Sequence, residues 1–325
     1  MESRLKLLEI LADGRFHSGE SLGACLGVTR AAVWKQLRAL KRLGLEIQAV
    51  RGRGYRFAYP LELLRGEILR SYLSPAVQAE MPSLEIFTEL DSTNTYLKAR
   101  AQDGAPSGAV CFAETQRAGR GRLGRVWISP FACNLYLSLL WRFTSGPAAM
   151  AGLSLVAGVA LVRALESFVP EGLGLKWPND VQWRGRKLAG VLIDIAGESA
   201  GPSHAVIGIG INVRMPDAAA QEIGQPWTDL ARCLGETPSR NALAAVVLES
   251  LFESLREFEI GGLSPFLDAW REHDVMAGRT VQLQLPNGVI AGEARGIDDS
   301  GAFVLLVDNE LRRFAAGEIS LRMFP

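Results

Sequence analysis

The stretch Glu114-Thr-Gln-Arg-Ala-Gly-Arg-Gly-Arg-Leu-Gly-Arg-Val-Trp127 sets four arginines and three glycines between Arg117 and Arg125, with no acid among them. Guanidinium forks clamp phosphate and carboxylate oxygens in pairs, and glycines let backbone N–H groups approach the same oxygens. Such a loop suits a polyanion. Gly119-x-Gly121-x-x-Gly124 spells the dinucleotide-binding fingerprint, but that pattern needs a helix opening at the loop and an acid about 20 residues on. Here Pro130 and a strand-like run, residues 134–141, follow instead. With Val126 the letters also spell a kinase glycine loop, yet no H-R-D, D-F-G or V-A-I-K lysine appears downstream. The phosphate loop ending in Gly-Lys-Ser/Thr is absent. From these residues alone, a solvated basic loop remains the alternative.

Three further stretches carry candidate chemistry. Asp91-Ser-Thr-Asn94 follows a strand-like run, 86–90, and precedes a helix expected over 96–102. Ser92 or Thr93 can be a plain N-cap, or can offer a hydroxyl beside free helix N–H groups to a polar ligand head. Gly172-Leu-Gly-Leu-Lys-Trp-Pro-Asn-Asp180 brings a strand to an end at Pro178, and a hairpin through Lys187 follows. Lys176 follows an apolar run, which puts its ammonium near or in the core. Lys176, Asn179, Asp180 and Lys187 form a polar cluster in an apolar frame, costly to bury without partners; a solvated strand end is the competing account. In Ala205-Val-Ile-Gly-Ile-Gly-Ile-Asn-Val213, Gly208 and Gly210 fall on one strand face with Asn212 two further on. Two missing side chains leave a slot for a flat ligand, or mark a bulge.

The elements that must position these groups are legible in outline. A long apolar helix over 149–168 and an amphipathic one over 241–258 back the strands. From about Asp274 only short strands and tight turns follow, including Pro286-Asn-Gly288 and Asp298-Asp-Ser-Gly301, which suggests a small appended barrel.

With 325 residues, 48% of them hydrophobic, the chain has room for two or three domains. No apolar run reaches the roughly 18 residues that span a bilayer, and no charged n-region with a cleavage site opens the chain. Cys25, Cys111, Cys133 and Cys233 are scattered, as are the three histidines, so buried reduced thiols in a cytoplasm are expected rather than a zinc site or disulfides.

The 35 basic and 35 acidic residues are unevenly placed. Residues 1–60 hold eleven Lys/Arg against five acids, so a basic N-terminal module sits on an acidic body. There, a first apolar helix covers 4–12. Ser18 caps a second over Gly19–Leu26, Gly27 turns, and Thr29 caps a third that Gly44 stops. The third helix shows Arg30, Ala31, Lys35, Arg38 and Lys41 on its outer face, and a hairpin turns around Arg51-Gly-Arg-Gly54. Together these make a winged helix-turn-helix, with the third helix in the major groove and Arg51 and Arg53 of the wing at phosphate. A small protein-interaction domain is the alternative. A connecting helix is expected from Leu61.

In this order, the winged helix, D-S-T-N, E-T-Q-x-A-G-R-G-R-x-G-R-x-W, K-W-P-N-D, R-K-L-A-G, G-I-G-I-N and terminal barrel, the whole chain resembles the biotin–protein ligases that double as repressors of biotin synthesis. The resemblance implies an α+β chain: a winged helix-turn-helix over 1–62, a linker over 63–83, a class II synthetase-like mixed sheet with helices over 84–272, and an SH3-like barrel over 273–325. It implies that biotin's carboxylate attacks the α-phosphate of Mg2+-ATP, and that the biotinyl-AMP formed biotinylates a lysine of the biotin carboxyl carrier protein of acetyl-CoA carboxylase. Operator DNA would be bound by a homodimer formed when biotinyl-AMP is held, with no membrane involved.

By the same resemblance, Ser92, Thr93, Asn94 and Gln116 would bind biotin's polar ring beside Gly208 and Gly210. Arg120, Gly121 and Arg122 on the loop, with Lys187, would hold carboxylate and phosphate, and Arg120, Arg122 and Lys187 would be catalytic. Lys176, Asn179, Asp180, Asn212 and Trp227 would lie at the adenylate, Trp227 as a stacking surface. Thr29, Arg30, Ala31, Lys35, Arg51 and Arg53 would meet DNA. The loop itself is expected to be the two-state element that couples ligand to dimerisation, ordering when an anion is present. A lipoate-type ligase and a ligand-sensing repressor without ligase activity are the competing readings.

Overall fold

The computed structural model describes residues 2–199, 201–285, 288–315 and 320–323. At the N-terminus, α1 (Glu2–Leu11), α2 (Gly19–Leu26) and α3 (Arg30–Lys41) precede the hairpin of β1 (Ile47–Val50) and β2 (Gly54–Phe57). The Ser18 hydroxyl accepts from Ser21 N at 3.0 Å and the Thr29 hydroxyl from Ala32 N at 3.3 Å, which answers free N–H groups at two helix starts. Leu7, Leu8, Leu11, Leu22, Val33, Leu37, Leu40 and Phe57 close a second core, which Phe131 and Ala132 of the central body also enter. The hairpin is tied down where His17 and Tyr55 exchange backbone bonds of 2.9 and 2.8 Å. Gly54 is required there, since a Cβ would stand 2.0 Å from His17 O.

The central body begins with α4 (Gly66–Tyr72) and α5 (Pro75–Glu80), so most of the stretch expected as a linker is helical; no helix starts at Leu61. Leu69, Leu73, Val77 and Met81 enter the main core. Then come β3 (Leu84–Phe87), α6 (Thr93–Gln102), β4 (Val110–Ala113), β5 (Leu135–Phe143), α7 (Leu153–Glu166), β6 (Leu173–Lys176), β7 (Asp180–Trp183), β8 (Arg186–Gly197), β9 (Ser203–Ile211), α8 (Asp217–Ala220), α9 (Leu230–Leu234), α10 (Arg240–Gly261) and α11 (Leu267–Glu272). The seven strands run β3-β4-β5-β9-β8-β7-β6, with β3 and β4 parallel and the other pairs antiparallel.

Strand side chains alternate between the two faces. Leu135, Leu137, Leu139 and Trp141 meet α7 and α10 on one side, while Cys111, Leu140 and Val206 meet Leu97 and Ala101 of α6 on the other. The apolar helix expected over 149–168 is broken at Gly152 (φ 82°), with a 3-10 turn before it. Counted together, Pro147–Glu166 is long and apolar enough to cross a membrane by length and composition, but about two thirds of it is buried in this core.

The C-terminal part is β10 (Thr280–Leu285), β11 (Gly288–Ile297), β12 (Phe303–Val307), β13 (Glu310–Phe314) and β14 (Ser320–Met323), paired in the order β13-β12-β11-β10-β14. Among the described residues the row has two edge strands; Pro286 and Asn287 of the expected turn lie outside them. Trp177 pins this sheet to the body: its indole N–H donates to Gly301 O at 3.2 Å, and its ring meets Phe303 at 5.3 Å between centroids.

A buried polar knot joins the winged module to the body. Arg240 donates to the carbonyls of Asn134 and Glu62 and stands 2.8 Å from Glu114 Oε2, with both side chains almost wholly buried. Glu114 Oε1 accepts from Leu64 N at 2.6 Å, and Asn241 reaches Glu62 and Leu63 O. The segment leaving the winged helix is thereby fastened to the root of the Arg/Gly loop.

Candidate active site

A cleft of about 720 Å³ opens on the sheet, within the size range of small-molecule sites. It is lined by Ser92, Thr93, Asn94, Gln116, Arg120, Gly121, Arg122, Lys176, Asn179, Asp180, Lys187, Gly208, Gly210, Asn212 and Trp227, so residues far apart in the chain meet in one place.

One end is uncharged and rich in hydrogen-bonding groups. Ser92 caps α6 by accepting from Thr95 N, and the helix starts at Thr93, three residues earlier than expected. Gln116 Oε1 accepts from Thr93 N at 2.9 Å, and its amide donates to Ser129 Oγ at 3.3 Å. The Asn94 side chain lies across Gly208, where a Cβ would be 1.9 Å from Asn94 Oδ1. The slot expected for a ligand at Gly208 is therefore filled by an amide of the protein itself.

The second slot is filled as well. Gly190 and Gly210 are register partners on β8 and β9. The Trp127 ring lies on this bare patch, with a Cβ on Gly210 falling 2.4 Å from it and one on Gly190 3.2 Å. The indole N–H of Trp127 is buried with no partner among the described residues, which leaves a donor unsatisfied.

The Arg/Gly loop is a tight hairpin. Arg120 and Val126 bridge, Gly121 N donates to Arg125 O at 2.8 Å, and Trp127 N donates to Gly119 O at 2.9 Å. These bonds close the loop as a hairpin. At its tip Leu123 adopts φ 56°, left-handed and unfavourable for a branched side chain, and Gly124 follows at φ 69°. Arg120 donates to Thr95 Oγ1 at 2.6 Å, and Arg117 pairs with Glu89 and Asp91 away from the cleft.

At the other end the charges gather. Lys187 Nζ stands 2.6 Å from Asp180 Oδ1, both largely buried, and lies 5.3 Å from the centre of the Trp127 ring. Arg122 reaches Asn179 Oδ1 at 3.5 Å, while Asn179 donates to Val191 O at 2.7 Å and so braces the guanidinium against β8. Burial lowers the Arg122 pKa from its ordinary value, Asp180 opposes the fall and Arg125 adds to it. Lys176 is half-buried on the cleft wall rather than in the core. The Asn212 amide donates to Thr228 O at 3.0 Å, and Lys187 bridges Trp227, whose ring is covered by Arg232 at 4.1 Å. That face of Trp227 is thereby taken from any stacking partner.

The winged module presents a separate basic face. Thr29, Arg30, Ala31, Trp34, Lys35, Arg38 and Lys41 of α3 and its cap are exposed, as are Arg51 and Arg53 of the wing. Arg38 stacks on Trp34 at 4.7 Å and Arg53 on Phe16 at 4.2 Å.

Fold and site together define a ligase-type catalytic domain that carries a DNA-binding winged helix. The sequence profile of the Biotin/lipoate A/B protein ligase family matches residues 86–212, that of the HTH domain residues 3–56, and that of the Biotin protein ligase C terminal domain residues 277–322. The bifunctional ligase/repressor BirA of Salmonella typhimurium is 42% identical over 98% of this chain and 97% of its own. The biotin–[acetyl-CoA-carboxylase] ligase of Mycobacterium tuberculosis is 36% identical over 73% of this chain and 88% of its own. Among solved structures, the biotin protein ligase from Aquifex aeolicus in complex with biotin and ATP aligns with a TM-score of 0.63 and 29% identity, covering 74% of this chain and 99% of that one. The chain belongs to the Biotin/lipoate A/B protein ligase family.

Three site residues escape the sequence reading. Trp127 ends the motif that was read, but only the pairing of Gly190 with Gly210 shows where its ring lies. Ser138 is the one small polar side chain inside the apolar run of β5, and that isolation is its signal. Trp34 interrupts the basic face of α3 with an exposed aromatic ring.

Proposed function

We infer that this chain is an ATP-dependent biotin–protein ligase that also represses transcription of biotin synthesis. The observation that carries the reading is one cleft with opposite ends: uncharged hydroxyl and amide groups at Thr93 and Gln116, and Arg122 and Lys187 at the other. A ligand with a polar uncharged ring and a carboxylate tail fits that polarity. The tail is brought to the place where a nucleotide phosphate can be clamped.

The first step joins two anions. A carboxylate oxygen attacks the α-phosphorus, the bond to the bridging oxygen breaks, and pyrophosphate leaves. Arg120, Arg122 and Lys187 offset the charge that gathers on the phosphoryl oxygens. Asp180 holds Lys187 in place by its 2.6 Å contact, and Asn179 holds Arg122. Trp127 supplies a flat wall for the ligand, and Trp227 and Asn212 shape the nucleotide end. The hairpin of residues 119–127 covers the product, a mixed anhydride sensitive to water. In the second step a carrier lysine, as its free amine, attacks the acyl carbon, and AMP leaves. That lysine belongs to the biotin carboxyl carrier protein of acetyl-CoA carboxylase.

Magnesium enters with the triphosphate as part of the substrate. The repressor role rests on α3 and the wing, with a homodimer formed on adenylate binding reading a two-fold operator in a cytoplasm. The winged helix over 1–62, the catalytic body to 272 and the terminal sheet from 273 are the units that divide this work.

Biotin-dependent release of pyrophosphate from Mg-ATP tests the first step. Release with biotin and none with lipoate is expected; release with lipoate alone would move the reading to a lipoate ligase, and none with either to a sensing repressor.

A further inference from the structure

Asn94, expected at the ligand's polar ring, spends its amide on the protein. Its Nδ2 donates to Asp194 Oδ2 at 3.0 Å and to Leu192 O at 3.2 Å. Two acceptors on that side fix which end of the amide is nitrogen. Its Oδ1 then faces Ser138 Oγ at 2.6 Å, and an amide oxygen can only accept, so the Ser138 proton is committed to it. The Ser138 and Thr93 hydroxyl oxygens are 2.8 Å apart. With its single proton already used, Ser138 can only accept there, so the Thr93 proton has two protein acceptors within reach, Ser138 Oγ at 2.8 Å and Gln116 Oε1 at 3.3 Å. Lys98 closes the outer end of the chain by pairing with Asp194 Oδ1 at 3.0 Å.

Geometry makes the chain rigid. Ser138 on β5, Gly208 on β9 and Leu192 on β8 are register partners across three adjacent strands. Asn94 lies over the middle one, where the absent Cβ of Gly208 leaves just the room it needs. Ser138 is fully buried and outside the cleft lining, while Thr93 lines the cleft.

We propose that Asp194, Asn94 and Ser138 form a polarised hydrogen-bond chain that turns the Thr93 hydroxyl into an obligate acceptor toward the ligand, so that this subsite selects an N–H donor. These three are positioning residues: they act through Thr93. The inference rests on reading this end as the ring subsite of biotin, whose ureido group carries N–H on both sides of its carbonyl. A ring bearing an oxygen in place of the N–H that faces Thr93 would set two acceptors against each other.

The test uses the full-length protein, biotin, and its two cyclic carbamate analogues, in which one or the other ureido N–H is replaced by oxygen. For the wild type, kcat/KM for pyrophosphate release should fall at least about 100-fold with one of the two analogues, as expected when a site built around a donor meets an acceptor. In Ser138→Ala the Thr93 proton loses its nearer acceptor and keeps only Gln116 Oε1 at 3.3 Å, so the KM for biotin should rise about tenfold with kcat within about twofold, and discrimination against that analogue should shrink to about tenfold. Ser138→Cys, close in size and a weak donor, should move the same way and replaces the alanine variant if that one does not fold. Thr93→Val, which removes the hydroxyl at equal shape, should lose the discrimination altogether. If Thr93→Val loses it while both Ser138 variants keep the full wild-type ratio, the polarised chain is overturned and the ring subsite stands. If Thr93→Val also keeps the wild-type ratio, or the wild type shows none, the ring subsite itself is overturned, and the chain with it.

Discussion

Trp127 rests its ring on Gly210: a Cβ added to that glycine would stand 2.4 Å from the indole, and Gly190 beside it leaves the same gap on the next strand. The ring belongs to the end of the Arg/Gly hairpin, so the glycines of two sheet strands decide where that hairpin seats. Gly210→Ala should lift Trp127 and the loop with it. We expect kcat/KM for biotinyl-AMP formation to fall about 100-fold, the cost of misplacing a positioning group by about 1 Å, while thermal unfolding shifts by only a few degrees. A wild-type rate in this variant would show that the ring's seat is irrelevant to the chemistry.

The Arg240–Glu114 pair makes a prediction about stability. Both side chains are buried, and Glu114 Oε2 meets Arg240 at 2.8 Å as an ion pair, outside hydrogen-bond alignment, while Oε1 takes the Leu64 N–H. Removing one member of a buried pair leaves the other charge uncompensated and typically costs about 3–5 kcal/mol. Arg240→Met should lower the unfolding free energy from a urea titration by that order, and Arg240→Met with Glu114→Gln should recover part of the loss. A double variant no better than the sum of the singles would mean the two charges do not couple.

These two relationships mark where the sequence was and was not legible. The winged helix could be read because Ser18 and Thr29 announce their helices and the basic residues of α3 recur at helical spacing. The Arg/Gly loop and K-W-P-N-D could be read because their composition is rare and their chemistry narrow. Gly208 and Gly210 were legible as gaps, but what fills them was not. Asn94 and Trp127 arrive from segments 114 and 83 residues away, and only the β5-β9-β8 register brings them together. The knot of Glu62, Glu114, Asn134 and Arg240 was invisible for the same reason: each residue alone reads as surface. The sequence points to a connecting helix after Pro60 but not to its start at Gly66 or to the second helix, α5, because short apolar runs reveal nothing of the core they enter.

A pH dependence follows from Asp274. Burial raises its pKa above the ordinary 3.8, against the pull of the backbone N–H groups of Met276 and Ala277. Its Oδ1 accepts from Met276 N at 2.8 Å, and its Oδ2 is buried with no hydrogen-bond partner among the described residues. A carboxyl that holds its proton more tightly when folded stabilises the fold below its unfolded pKa, and that stability is lost as pH rises through the folded value. Asp274→Asn keeps the accepted bond and removes the charge. Its Tm should match the wild type near pH 4 and exceed it increasingly toward pH 7; a constant difference across that range would contradict the sign.

On the DNA face, Trp34 and Lys35 should behave differently. Lys35 is exposed on α3; as a phosphate contact, its loss in Lys35→Ala should weaken all duplexes alike and reduce the slope of log K against log salt by about 0.9, one contact's worth. Trp34, half exposed and stacked by Arg38, offers an apolar surface to base edges in the major groove. Trp34→Ala should reduce the ratio of operator to random-duplex binding at least about fivefold, in the range of a lost base contact, and leave the salt slope unchanged. Equal losses on both duplexes would place Trp34 outside the readout.

The central claim is that one cleft activates biotin through the arginines of the hairpin. The most direct test is transfer of labelled biotin, with Mg-ATP, to the lysine of an isolated biotin carrier domain, comparing wild type with Arg122→Ala. The wild type should label the carrier stoichiometrically, and Arg122→Ala should do so at least about 100-fold more slowly, as when a group that stabilises transition-state charge is removed. Labelling at the wild-type rate by Arg122→Ala would contradict the role of the hairpin, and no labelling by the wild type, with biotin still bound, would contradict the ligase reading itself.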